Sequence, residues 1–188
     1  MNFPLHDETT APEAAREHLE TTRRSFGMIP NLERVMANAP ALLATYSFGW
    51  EVFDETSLSP VERQIVYQTA NFENECNYCV PWHTLLVKQA GADTETVEAL
   101  RRGSRLPDPR HEALRQFTRT MILNRGKATA ADLEAFLAAG FTTQQALEVV
   151  LGIAIKTMSN FTNSIAGTPL DTQVARLIWQ KPLASSAE

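Results

Sequence analysis

Two cysteines and a histidine stand close together as Cys76-x-x-Cys79-x-x-x-His83, and these are the only two cysteines in the chain. Two cysteines placed at random in a chain of this length would fall three apart about 1% of the time, so the spacing calls for a chemical reason. Three readings fit it. A structural zinc site needs four ligands and this cluster offers three, so His6, His18 or His111 would have to join through the fold. A reduced, inert cysteine pair beside a core histidine is the bland alternative. The third, a dithiol cycling with its disulfide, is the reading adopted here. In a reducing compartment such a pair is more often catalytic or metal-binding than a structural staple.

Helix geometry refines that reading. Positions 79 and 83 are i and i+4 and share a face. Residues i and i+3 of a helical turn have Cα atoms about 5 Å apart, within disulfide range. Pro81 lacks an N–H and belongs in a first turn. The expectation is therefore Asn77 at the N-cap and Cys79 in the first turn, where free amides, the helix dipole and a protonated His83 would favour a thiolate. The gain is limited. A thiol of pKa about 8.5 is about 3% ionised at pH 7, and one of about 6.5 is about 75% ionised. Intrinsic nucleophilicity falls about 8-fold over the same interval, leaving a net gain of about threefold. A peroxidase built here must rely on positioning and on an acid that protonates the leaving oxygen.

The elements that must hold these residues are helices. Apolar periodicity and end signals predict helices at about 11–25, 31–37, 40–54, 60–73, 78–90, 94–102, 109–124, 130–139, 143–165 and 171–180. Gly27, Gly91, Gly103, Gly126, Gly140 and Gly167 each follow such a run, at the left-handed C′ position. Capping boxes are expected at Thr10, Ser59 and Thr142, and simpler N-caps at Asp93, Asp108 and Thr129. No alternating β-branched run is bounded by turns, so the expected fold is all-α, with eight to ten helices and no sheet. One domain spanning 1–188 is expected: N-terminal helices 1–57, a Cys-x-x-Cys core 58–103 and C-terminal helices 104–182. The helix at 143–165 is apolar nearly all round, as a central core helix or an oligomer contact would be. The tail 183–188 is expected to fray.

Charge and length exclude other classes. The 188 residues carry 17 Lys+Arg and 22 Asp+Glu, a net charge of −5. There is no basic footprint for nucleic acid or an anionic membrane. The start lacks the basic flank and apolar run of a signal peptide, and the longest apolar stretch, 149–155, is too short to span a bilayer. A cytosolic location is the expectation.

The motif, with the apolar run Ile65–Ala70 and Asn74 before it, resembles the alkylhydroperoxidase D branch of the carboxymuconolactone decarboxylase family. Gly27-Met28-Ile29-Pro30-Asn31-Leu32 and Ala39-Pro40-Ala41-Leu42-Leu43 resemble the first segments of its peroxidase-related members. Glu148-Val149-Val150-Leu151 and Asn160-Phe161-Thr162-Asn163 resemble their last long helix. The resemblance implies an all-α fold in trimers or hexamers. It implies a thiol-dependent peroxidase or disulfide reductase without metal or flavin, using a hydroperoxide or disulfide substrate and an external thiol reductant. By position, Cys79 is then the attacking thiol, Cys76 the resolving one and His83 part of a proton relay. The alternatives left open are a decarboxylase-like activity on an organic acid and a redox-sensing oligomer without turnover.

One position departs from the family. The relay glutamate, twelve residues before the first cysteine, is Gln64 here. A primary amide can hydrogen-bond but cannot exchange a proton, so weak peroxidase activity is expected, with Gln64→Glu raising it. Glu62 is a candidate displaced acid, although it also completes the cap at Ser59. Glu73 and Glu75 are expected in a solvated turn. Gln64, Gln68 and Asn71 share a helix face and are read as a polar lining of the site. Tyr78 and Trp82 are read as packing residues.

Overall fold

The computed structural model describes residues 3–182, so the tail at 183–188 lies outside the described residues. The described residues form nine α-helices, α1 Glu13–Phe26, α2 Asn31–Met36, α3 Pro40–Asp54, α4 Pro60–Glu73, α5 Cys79–Gln89, α6 Thr94–Arg102, α7 Pro109–Leu123, α8 Ala130–Ala138 and α9 Thr143–Ala166. A 3₁₀ segment, Thr172–Leu177, follows, and no strand occurs among the described residues.

The end signals act much as their chemistry requires. Ser59 and Thr142 form reciprocal capping boxes with Glu62 and Gln145, and Asp93 and Asp108 cap α6 and α7. All six expected glycines have positive φ. Gly103 is the most constrained of them, because a Cβ there would overlap the Phe72 ring as well as strain a left-handed backbone.

Four local expectations change. Thr10 does not cap α1; the side chains of Asp7 and Thr10 close a turn before it, and Pro12 takes the cap position. Thr129 makes a full capping box with Asp132 rather than a simple cap. Tyr78, not Asn77, precedes α5, although Cys79 is in its first turn. The last segment is 3₁₀ because Trp179 and the carbonyls of Leu177 and Ile178 are tied back to Arg101 on α6, leaving it little length.

Helix α4 is the hub. It packs against α5, α7 and α9, and α9 also packs against α3 and α2. Ile65, Val66, Tyr67 and Ala70 of α4 meet Phe53 of α3 and Val149 and Ile155 of α9 in one buried cluster. Gly152 lets α9 approach closely, since a Cβ there would lie 2.7 Å from Val66 and 2.8 Å from Phe53. The opposite face of α9 leaves Leu147, Val150, Phe161 and Ile165 exposed, at 72%, 44%, 58% and 72%. No single described helix is long and apolar enough to cross a membrane.

Candidate active site

Helix α4 ends at Asn74, and Glu75 turns the chain with φ 54°. The Cys76 N–H then bonds the Asn71 carbonyl at 2.9 Å, which pins the turn to α4. The Cys79 and Val80 amides both bond the Cys76 carbonyl, so the two cysteines share one helical turn. Their Cα atoms are 5.2 Å apart and their sulfurs are joined as a disulfide. Both residues are almost fully buried.

The sulfurs differ in their surroundings: Cys76 Sγ accepts the Cys79 N–H at 3.2 Å and Asn163 Nδ2 at 3.8 Å. Asn160 Nδ2 and Asn163 Nδ2, one turn apart on α9, donate to Cys79 Sγ at 3.1 and 3.2 Å. Asn160 is held in turn: its Oδ1 accepts from Asn74 and its Nδ2 also donates to Asn71 Oδ1, each at 2.9 Å. Asn71 donates to Gln68, and Gln68 donates to the Val80 carbonyl and to Thr84. The polar face of α4 is thus a buried brace tying α4, α5 and α9 together behind Cys79. Asn163 Oδ1 is buried without a donor, which leaves an acceptor beside the sulfurs that a thiol S–H of the reduced state could use.

Cys79 faces an inner cavity of about 40 Å³, walled by Trp50, Trp82, His83, Lys156, Glu33 and Phe26 among others. That is room for a few waters or a hydroperoxide group. A second cavity of about 400 Å³ shares Phe26, Glu33, Tyr46, Trp50 and Leu86 with it and reaches His18, Glu51 and Gln64. Cys76 instead lines a separate polar cleft of about 600 Å³ with Glu73, Glu75, Asn77, Asn160 and Ser164.

The fold brings Gln64 and His83 together: His83 Nδ1–H donates to Gln64 Oε1 at 2.8 Å. This fixes the tautomer and leaves Nε2 as an acceptor. Lys156 Nζ donates to that nitrogen at 2.9 Å. Trp50 stacks on the imidazole and Tyr67 meets it edge-on. Burial, and then the Lys156 charge, hold the His83 pKa well below its ordinary value. His83 is therefore a neutral ring, and the imidazolium expected beside Cys79 gives way to a different cation. That cation is Lys156, 1% exposed and pushed down to about 7 by burial.

The remaining candidates separate. Glu62 Oε2 accepts the Ser59 amide and Oε1 pairs with Arg110, so both oxygens are engaged away from the cavity. Glu73 is not solvated: its side chain is 6% exposed and pairs with Arg119 at 2.8 Å. Glu75 is exposed and pairs with Lys181. Tyr78 and Trp82 both donate to Asp171, which also accepts the Asn31 amide. They lock the C-terminal segment onto α5, and Trp82 adds a wall of the cavity. Among the described residues no three His, Cys, Asp or Glu side chains converge as a metal ion would need.

Sequence reasoning missed Lys156 and the sulfur contacts of Asn160 and Asn163. Their signal was a polar row at i, i+4 and i+7, 156, 160 and 163, along one face of a long helix.

A helical protein with a buried Cys-x-x-Cys disulfide at the mouth of an aromatic cavity is of the alkylhydroperoxidase D type in its fold. Residues 39–110 match the model of the carboxymuconolactone decarboxylase family, which bears out the resemblance over the segment holding both cysteines and His83. The structure is similar to the alkylhydroperoxidase AhpD core of a peroxidase-related protein from Ralstonia eutropha JMP134, with TM-score 0.81 and 19% identity, over 92% of this chain and 93% of that one. It is also similar to a peroxidase-related protein from Silicibacter sp. TM1040, with TM-score 0.77 and 21% identity, over 93% and 92%. The debrominase Bmp8, solved as a cysteine-to-alanine variant with 2,3,4-tribromopyrrole, matches at TM-score 0.74 and 13% identity, over 92% of each chain. Comparison with curated proteins gave no match.

Proposed function

We propose that the protein is a thiol-dependent oxidoreductase that reduces a hydroperoxide with the Cys76–Cys79 pair and is itself reduced by an external thiol. The observation that carries this reading is the unequal setting of the two sulfurs. Cys79 receives two side-chain amides at 3.1 and 3.2 Å, which stabilise a thiolate, and faces the inner cavity, whereas Cys76 receives the Cys79 N–H at 3.2 Å and Asn163 only at 3.8 Å and faces the polar cleft. The Cys79 thiolate attacks the outer oxygen of the hydroperoxide, the O–O bond breaks, and an alcohol and a Cys79 sulfenic acid result. The Cys76 thiol condenses with the sulfenic acid, releasing water and restoring the disulfide. The thiol donor attacks Cys76 from the polar cleft, and Cys79 leaves as the better-stabilised thiolate. The aromatic walls favour an organic hydroperoxide over hydrogen peroxide.

Those walls also support a second reading, thiolate attack on an aromatic electrophile, since a debrominase shares the fold. The exposed stripe on α9 supports assembly as a homotrimer or homohexamer through copies of the chain. The deciding experiment reduces the protein, removes the reductant and adds cumene hydroperoxide, hydrogen peroxide or a halopyrrole. Loss of two free thiols per chain in one turnover with cumene hydroperoxide is expected. Retention of both thiols with every oxidant defeats the redox reading, and reaction with the halopyrrole alone transfers it to dehalogenation.

A further inference from the structure

The hydroperoxide step needs a proton for its leaving oxygen, and none of the carboxylates considered from the sequence is free on the cavity wall, Glu73 and Glu75 being paired with Arg119 and Lys181. Glu62 is engaged elsewhere, and Gln64 is an amide. Of the titratable groups on the cavity wall that have no role so far, Lys156 is the one hydrogen-bonded to His83. Lys156 is fully buried on the inward face of α9, and among the described residues the one hydrogen bond of its Nζ is to His83 Nε2. Since ammonium and amine alike can spare one N–H for that bond, the remaining valence of Nζ faces the Tyr67 ring and the cavity that Cys79 lines. A lysine held this way is expensive for the fold, which is the pattern of a functional group rather than a packing one.

We propose that Lys156 carries the proton of this site: it takes the proton of the Cys79 thiol and delivers it to the departing oxygen. The inference rests on the thiol-redox reading of Cys79. The balance closes. Lys156 amine accepts the Cys79 proton, giving a thiolate beside an ammonium. The thiolate attacks, the O–O bond breaks, and the ammonium protonates the alkoxide. The Cys76 thiol then attacks the sulfenic acid sulfur, the S–O bond breaks, and the thiol proton goes to the departing hydroxide, which leaves as water. Two thiols and one hydroperoxide give one disulfide, one alcohol and one water.

The groups facing Lys156 suit this part. From α5 come the neutral His83 and Cys79, from α3 Tyr46, from α4 Tyr67 and from α2 Glu33. Glu33 is partly exposed as a residue, but its Oε2 is buried and has no partner. Burial, with Asp171 nearby, pushes its carboxyl up to about 8, while Lys156 opposes that rise. Neither Glu33 nor Lys156 is locked in its charged form at neutral pH, so the lysine can gain and lose a proton at little cost, near its depressed value of about 7. Gln64 completes the arrangement by holding His83 as a pure acceptor for the lysine.

The test measures two things on reduced protein: the pH profile of iodoacetamide alkylation at Cys79, and single-turnover oxidation by cumene hydroperoxide. Lys156→Met is expected to move the alkylation midpoint up by about one pH unit or more and to slow oxidation about 10²-fold or more. Lys156→Arg keeps a charge but cannot release a proton at accessible pH, so it is expected to alkylate readily and oxidise slowly. Lys156→Ala leaves room for a small amine, and methylamine is expected to restore oxidation. Wild-type rates of oxidation in the Arg variant, or an unmoved alkylation profile in the Met variant, overturn the inference. The alkylation arm uses no peroxide. A wild-type protein that alkylates through Lys156 yet ignores hydroperoxide would remove the peroxidase reading and leave the proton carrier standing.

Discussion

Replacing Lys156 by Met should make the protein more stable at neutral pH and less stable at pH 10. The lysine is held at about 7 against an ordinary 10.5, with burial as the leading cause. A depression of about 3.5 pH units, at about 1.36 kcal/mol each, means that keeping this amine inside costs the fold about 4 kcal/mol at pH 7. Methionine removes that cost and nearly matches the shape of the stem. It also leaves His83 Nε2 without its donor, a loss of about 1–3 kcal/mol. The variant should thus gain about 1–3 kcal/mol at pH 7, a rise in Tm of about 2–10 °C for a chain of this size. The sign of the pH dependence follows from proton counts. Between about 7 and 10.5 the unfolded chain holds the lysine proton and the folded chain does not, so wild-type stability rises with pH across that window. The variant lacks this term. At pH 10 the charge cost is nearly gone, and only the missing donor remains, so the order inverts. Denaturant unfolding of both oxidised proteins, at matched concentration, at pH 7 and pH 10, reads this directly. A Met variant less stable at neutral pH, or a difference that does not change with pH, would refute the buried-charge argument and with it the rationale for Lys156 as a costly functional group.

Other outcomes can be checked with the same preparations. Cys79→Ser should abolish turnover, whereas Cys76→Ser should leave a sulfenic acid that dimedone traps, visible by mass. Gln64→Glu should favour an imidazolium that turns Lys156 away from Cys79, and so should slow cumene hydroperoxide turnover by about tenfold or more, where a restored carboxylate relay would instead raise it about tenfold. Glu62→Gln should lower stability by about 1–3 kcal/mol through its cap and the Arg110 pair without moving the alkylation profile at Cys79. Phe161→Asp, in the exposed stripe of α9, should reduce the mass seen by light scattering, and a monomeric wild type at micromolar concentration would contradict the assembly proposal.

Much of the scaffold was legible because its signals are local. Ser59 and Thr142 announce α4 and α9 through a hydroxyl and a partner three residues on, and Gly27 or Gly167 ends a helix by a backbone preference that needs no tertiary context. Where tertiary context intervenes, the reading failed. Thr10 has capping chemistry, but Asp7 captures it first. The 171–180 segment has helical periodicity, yet its ends are bonded to Arg101 and Asp171 anchors the Tyr78 and Trp82 donors, so it tightens to 3₁₀. The cysteines and His83 stood out by spacing alone, because two successive turns of one local segment present them. Lys156, Asn160 and Asn163 were not, because what they touch lies on α5, more than seventy residues away in the chain. A lone lysine in an apolar helix reads equally well as a residue whose stem lies on the surface with its charge in water. Only the approach of α9 to α4, made possible by the missing side chain of Gly152, turns it inward.

The departure at position 64 and the lysine at position 156 account for one another. A carboxylate beside His83 Nδ1 would favour the imidazolium, whose Nε2 would carry a proton. That proton would point at the Lys156 Nζ from 2.9 Å, donor against donor and charge beside charge, in a cavity that burial keeps poor in water. An ammonium could not persist there, and the neutral amine would have to turn its lone pair to the histidine and away from Cys79. An amide at 64 removes the conflict. Gln64 Oε1 accepts from Nδ1 but offers no charge to stabilise an imidazolium, so the ring stays neutral and Nε2 stays an acceptor. The lysine can then spend one N–H on orientation and keep the rest of its valence for the sulfur side. On the proposal made above, proton exchange rests on an amine that the histidine positions, where the family resemblance implies a carboxylate–histidine couple. The substitution that looks, in sequence, like the loss of an acid is, in the folded protein, the condition for having another.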